Sequence, residues 1–169
     1  MWNDTDLPPA YLITFRCHRS WLHGDERGST DRFHHVYNTP HIPANLNWSE
    51  YNAAQLKGGA VTLNASQRKI IENAIREVCV HGRWDLYALN VRTNHVHVVV
   101  GIGALKPERA LNAFKAFATR HMRRTGTWQR ATSPWSDKGS SRYLWNDCSV
   151  GRAIEYVRFG QGDEPPEFD

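Results

Sequence analysis

The sequence predicts an α+β fold in which a few strands and amphipathic helices share one core, and three observations predict it. The stretch Thr93-Asn94-His95-Val96-His97-Val98-Val99-Val100-Gly101 is rich in β-branched residues and free of helix breakers, so it reads as a strand. Two other windows place apolar residues at helical spacing: Ile70, Ile71, Ala74, Ile75 and Val78, and then Ala110, Leu111, Phe114, Phe117, Ala118 and Met122. A chain of 169 residues is long enough to bury a sizeable core and too short for two comfortable domains, so residues 1–169 are expected to form one.

Taken in order, Ala10 to Cys17 (AYLITFRC) is the first strand, aromatic and β-branched without a break. From about residue 18 to 60 the pattern dissolves into Gly, Pro, Asn, Asp and His, longer than an ordinary connection, which predicts a functional loop or an insertion. Within it, Trp21 to Ser29 reads equally as a surface turn pinned by Trp21 or as a substrate-contacting loop. Asn64-Ala65-Ser66-Gln67 supplies a helix start and His81-Gly82 its end. Trp84 to Arg92 returns to strand character, and Thr93-Asn94 is short enough to make a hairpin with the histidine strand. Pro107 opens the second helix in the first-turn position that proline tolerates. Trp135 to Trp145 reads as a short turn or hairpin with Lys138 and Arg142 near its tip. Asp147 to Ser149 caps a last helix running from Val150 to about Phe159, which Gly160-Gln161-Gly162 ends. The acidic, proline-bearing residues 163–169 are expected to fray.

The composition narrows the function classes. Net charge is +4 and the pI about 9.1, with the excess concentrated in a few segments, which points to a polyanionic partner and first to nucleic acid. Lys115, Arg120, Arg123, Arg124 and Arg130 accompany Trp128 and Trp135, a mixture able to neutralise phosphates while stacking bases, although a solvated basic helix end is the plain alternative. Three scattered cysteines without a CxxC pair support neither a disulfide framework nor a zinc knuckle, and fit a reducing cytosol. No signal-like h-region and no run approaching about 20 apolar residues is present, so a soluble, cytoplasmic protein is expected.

Alternation gives the valine strand a chemical face. Side chains two apart point the same way, so His95 and His97 share one face, about 7 Å apart along the strand, while Val96 and Val98 turn into a core. One divalent cation can bridge two such imidazoles. A bare His-x-His nevertheless supplies only two ligands where catalytic sites usually use three, and two histidines on a solvated sheet face is the competing account.

With Asn94-His95-Val96-His97 on a central strand and Ala153-Ile154-Glu155-Tyr156-Val157 on a C-terminal helix, the sequence resembles the single-tyrosine HUH transposases, especially the REP-associated tyrosine transposase branch. Tyr11 to Phe15 and Tyr143-Leu144-Trp145 also look like that branch, and the likeness covers most of the chain outside residues 18–60. The resemblance implies a ferredoxin-like antiparallel sheet with helices packed on it, and an enzyme that cuts and transfers single-stranded DNA. It implies Tyr156 as nucleophile, His95 and His97 as metal ligands, and Mg²⁺ or Mn²⁺ as the ion, since no thiolate cluster lies nearby and phosphoryl chemistry favours hard cations. The third ligand in the family is a Gln or Asn shortly after the tyrosine; here that residue is Gln161, which requires the helix to end or change pitch at Gly160. The implied partner is single-stranded or hairpin DNA, contacted by Lys115, Arg120, Arg123, Arg124, Trp128, Arg130, Lys138 and Arg142, with the protein acting as a monomer or homodimer, on the nucleoid when DNA-bound. The competing function classes are a domesticated DNA-binding protein that does not cut, and a two-histidine phosphodiesterase. The latter would need two His-x-Ser/Thr motifs, and only one His-x-His is present.

Overall fold

The computed structural model describes residues 7–19 and 60–160. Strand β1 (Ala10–Cys17), helix α1 (Ala65–Gly82), strands β2 (Asp85–Val91) and β3 (His95–Gly101), helix α2 (Pro107–Arg124), strand β4 (Trp135–Leu144) and helix α3 (Asp147–Phe159) follow one another. The strands form one sheet in the order β2-β3-β1-β4, and every neighbouring pair is antiparallel. The first six elements therefore make the βαββαβ pattern of a ferredoxin-like fold, with α3 added after it.

Alternation along the central strands builds a core on each side of this sheet. Tyr11, Ile13, Phe15 and Cys17 of β1 join Val96, Val98 and Val100 of β3 on one face, under α1 and α2, with Ile71, Ile75, Phe114 and Met122 closing over them. On the other face Leu12, Val99, Ala88 and Leu144 meet Ala153 and Val157 of α3. The expectation that Val96 and Val98 enter a core while the histidines face away is met, and the face given to the histidines is the one that α3 covers.

Local signals set the helix ends. Asn64 Oδ1 accepts from the Gln67 amide at 2.8 Å and Gln67 Oε1 accepts from the Asn64 amide at 3.0 Å, a reciprocal capping box at the start of α1. The same Gln67 donates through Nε2 to the Thr127 carbonyl, tying the start of α1 to the loop that follows α2. Pro107 stands in the first turn of α2, and the apolar stripe Ala110, Leu111, Phe114, Ala118 and Met122 is buried as its spacing predicts. Asn146 caps α3 by accepting from the Ser149 amide and hydroxyl, so the helix starts at Asp147 and its cap precedes the one expected at Asp147 to Ser149. None of these helices is long and apolar enough to cross a membrane.

The larger departure from expectation is in residues 135–144. Residues 135–144 do not turn back as a hairpin but run as one strand paired with β1, from Ala10 opposite Leu144 to Phe15 opposite Gly139, with a shift in register before Cys17 meets Trp135. The run Ser136-Asp137-Lys138-Gly139-Ser140-Ser141 has turn-like composition, but pairing with β1 is a tertiary gain that intrinsic preference does not record. Gly139 shows why small residues stand there. A Cβ at this position would lie 2.7 Å from the Thr14 carbonyl oxygen and 3.0 Å from the Leu111 methyls.

A paired test follows. Gly139→Ala must push β4 away from β1 and should cost about 1–3 kcal/mol in a urea melt. Gly151→Ala, where an added methyl meets nothing on helix α3, should instead stabilise by about 0.5–1 kcal/mol. Equal effects of the two would contradict the tight β1–β4 approach.

Candidate active site

Antiparallel register assembles the site from four strands and one helix. Asn90 of β2 lies opposite His97 of β3, His97 opposite Thr14 of β1, and Thr14 opposite Ser140 of β4, giving one row across the sheet. His95 stands one row away, opposite Arg16. The two imidazoles that the sequence puts on one face are close, with ring centroids 4.8 Å apart.

The Tyr156 ring of α3 packs edge-on against His97 with centroids 5.4 Å apart. Its placement has a local cause. Ala153 and Val157, four residues apart, are buried against the sheet, and Tyr156 sits on the shoulder of that stripe. Asn90 fixes the approach by donating through Nδ2 to the Val157 carbonyl at 2.9 Å, one residue beyond the tyrosine. Residues 90, 97 and 156 are thus brought together by pairing and packing between segments far apart in the chain.

Hydrogen bonds orient both imidazoles. His95 Nδ1–H donates to Asn94 Oδ1 at 2.6 Å, which leaves Nε2 with the lone pair. His97 Nδ1 lies 2.7 Å from the Thr14 hydroxyl, and in the tautomer in which Nδ1–H donates to that oxygen, Nε2 of His97 carries the lone pair as well. Burial pushes the His97 pKa down to about 3, with His95, Arg16 and Arg92 adding to the effect, so the ring is neutral at physiological pH. A neutral imidazole held through Nδ1 is the form in which histidine binds metal, so the donor types present fit a divalent cation. Among the described residues no group of three His, Cys, Asp or Glu could hold a metal, and Gln161 lies outside them. Burial raises the Tyr156 phenol above its ordinary pKa, while Arg142 and Arg16 act in the opposite direction.

The cations predicted to meet DNA divide into two groups. Arg142 of β4 lies opposite Leu12, on the face shared by the histidines and Tyr156. Lys115, Arg120, Arg123, Arg124 and Arg130 belong to α2 and the loop after it, in the layer on the other side of the sheet. There Lys115 donates to the Ser136 and Lys138 carbonyls, and Arg123 to the Ala131 carbonyl, while Arg120 lies over Phe117 and Arg130 over Trp128. Burial also lowers the Lys115 pKa. A groove of about 610 Å³ runs between α2 and this loop, lined in part by Lys115, Arg120 and Arg123. Arg124 and Lys138 are exposed.

The expected stacking role of Trp128 and Trp135 is corrected. Both rings are buried in the core, with Trp128 Nε1 donating to the Thr132 carbonyl and Trp135 edge-on to Phe15 at 4.9 Å. An indole can close the core beneath an irregular loop as well as stack on a base, and composition does not tell the two apart. Among the described residues Tyr143 and Trp145 are exposed and in edge contact at 5.7 Å, with Tyr143 opposite Tyr11 on the face away from the histidines. Sequence reasoning also missed Thr14, Arg16 and Asn90. The signal for the first two is alternation in β1, where Thr14 and Arg16 interleave with Ile13 and Phe15.

Comparison with known proteins agrees with this architecture. No curated protein sequence matches the chain. Nine solved chains match it in structure. A candidate transposase from Deinococcus radiodurans R1 is similar at 10% identity, with a TM-score of 0.52, covering 94% of this chain and 95% of that one. A REP-associated tyrosine transposase bound to a REP hairpin is similar at 10% identity, with a TM-score of 0.50, covering 95% of this chain and 71% of that one. At that identity the likeness establishes the fold, the antiparallel α+β sheet of such transposases. The family model described as "Transposase IS200 like" matches residues 58–156, a span that holds His95 and His97 and ends on Tyr156. Since that span is more than half of the sequence, the chain belongs to the IS200-like transposase family.

Proposed function

We propose that this protein cuts and rejoins single-stranded DNA through a covalent phosphotyrosine at Tyr156, on a single domain with its metal ligands at His95, His97 and Gln161. The observation that carries the reading is the packing of Tyr156 against His97 beside His95, three residues from two distant elements gathered on one sheet face. The phenolic oxygen attacks phosphorus, a phosphorus–oxygen bond to the chain's sugar breaks, and the proton lost by the phenol balances the one gained by the departing sugar oxygen. The new ester stores the bond, so a second strand can be joined without an external energy source.

The chain's own residues supply the setting. Asn90 holds α3 to the sheet next to Tyr156, Asn94 accepts from His95 Nδ1–H, and the Thr14 hydroxyl orients the His97 ring through Nδ1. Bound there, a divalent cation such as Mg²⁺ or Mn²⁺ supplies Lewis-acid polarisation of the phosphodiester. Hairpin DNA is the partner of choice, in keeping with the hairpin held by the structural neighbour, and the cytoplasm, on the nucleoid, is the compartment this function requires.

The test is incubation of the full chain with labelled single-stranded hairpin DNA and Mg²⁺ or Mn²⁺, followed by a denaturing gel. A protein–DNA adduct that forms with metal and is absent with EDTA is the expected result. Binding without any adduct, across metals and hairpin sequences, would leave a DNA-binding scaffold that does not cut.

A further inference from the structure

The face that carries the histidines also carries two arginines that alternation and register bring together. Leu12, Thr14 and Arg16 share this face, while Ile13 and Phe15 enter the core on the other side. Arg16 stands directly opposite His95, at the point where the register between β1 and β4 shifts between Phe15 and Cys17. Arg142 stands opposite Leu12 on the far side of β1. Their rows therefore lie on either side of the row that holds Asn90, His97, Thr14 and Ser140, the row against which Tyr156 packs.

We propose that Arg16 and Arg142 form a clamp that holds the phosphodiester presented to Tyr156, one guanidinium from each flank. The clamp rests on the reading of this face as the DNA-cleavage site and adds to it two protein groups that bind the phosphate whether or not metal is present. A guanidinium offers a planar pair of N–H donors that matches two phosphate oxygens, which an ammonium cannot do. Held in place by a sheet, such donors need little reorganisation as charge builds on the phosphate oxygens during attack.

Further observations support the assignment. Both arginines are half-buried, so their charges act at the site with less screening than those of exposed cations. The cations of the α2 layer are separated from Tyr156 by the sheet itself. Two guanidinium groups on the face that Tyr156 shares give an incoming phosphate local positive potential.

The experiment measures binding without cleavage. In the Tyr156→Phe protein, with EDTA present, affinity for a fluorescein-labelled oligothymidine is followed by anisotropy over a salt series. Arg16→Gln and Arg142→Gln should each reduce the slope of log K against log salt by about 0.7, the share of one phosphate contact on a single strand. Arg16→Lys and Arg142→Lys should keep the slope yet lose affinity several-fold, because charge remains and the paired donors do not. An unchanged slope in either glutamine variant overturns the clamp. Should a glutamine variant fail to fold, the lysine variant decides, and full affinity there overturns the clamp too. The two readings fail separately: an adduct in wild type without a slope change removes the clamp alone, and a slope change with no adduct removes the cleavage reading alone.

Discussion

Replacing Tyr156 with phenylalanine is expected to abolish the covalent DNA adduct while leaving the fold within about 1 kcal/mol of wild type. The change removes one oxygen atom. The ring that packs on His97 stays, Ala153 and Val157 still bury beneath α3, and the Asn90 bond to the Val157 carbonyl involves no tyrosine atom. Stability should therefore register no more than one hydrogen bond, whereas the reaction loses its nucleophile. DNA affinity should be retained. A denaturing gel of both proteins with labelled hairpin DNA, with peptide mapping of any adduct and a urea melt, reads all of this.

The alternatives for the nucleophile are few among the described residues. Tyr11 is buried on the opposite face under the helices, and Tyr143 packs against it edge-on at 5.0 Å. Tyr87 lies at the irregularity between Leu86 and Ala88 on strand β2, close to Gly101 at the end of β3 away from His95. None of them meets the histidine pair. An adduct that persists in Tyr156→Phe would have to map to Tyr37 or Tyr51, both outside the described residues, or else refute the site.

What could be read from the sequence followed the range of the forces involved. β1 occupies the predicted residues 10–17, and α1 begins at the predicted Asn64 cap, because strand alternation and caps are written within a few neighbouring positions. β4 was hidden because Ser, Gly, Asp and Lys carry little strand preference of their own and gain it from β1, a partner more than 120 residues earlier. The burial of Trp128 and Trp135 was hidden for a similar reason, since nothing local distinguishes an indole that seals a loop onto the core. In the site, His95 and His97 on one face follow from a spacing of two. Tyr156 came forward only through family likeness, its own neighbours Ile154 and Val157 reading as core. Thr14, Arg16 and Asn90 depend on how β1, β2 and β3 align. A slip of one residue would turn every one of them to the other face, so no local pattern could assign them.

Thr14 is also where the metal prediction becomes most discriminating. His97→Ala removes one of two imidazole donors and should eliminate measurable Mn²⁺ binding and adduct formation together, but the loss of a buried ring could act through the fold. Thr14→Val avoids that difficulty, because it keeps the shape of a half-buried side chain and removes only the hydroxyl that lies 2.7 Å from His97 Nδ1. Without it the ring loses the partner that holds its tautomer and orientation, for which the expected cost is about 10–100-fold in metal affinity. Titration of Mn²⁺ followed by calorimetry, on wild type, Thr14→Val and His97→Ala, gives the order. A graded loss, partial for Thr14→Val and complete for His97→Ala, with thermal melts of the Thr14→Val protein close to wild type, is the outcome that the arrangement demands. If Thr14→Val instead binds Mn²⁺ as tightly as wild type, the hydroxyl does not orient His97. If His97→Ala does so while still folded, the histidine face does not hold the metal, because a two-imidazole site cannot survive the loss of one imidazole.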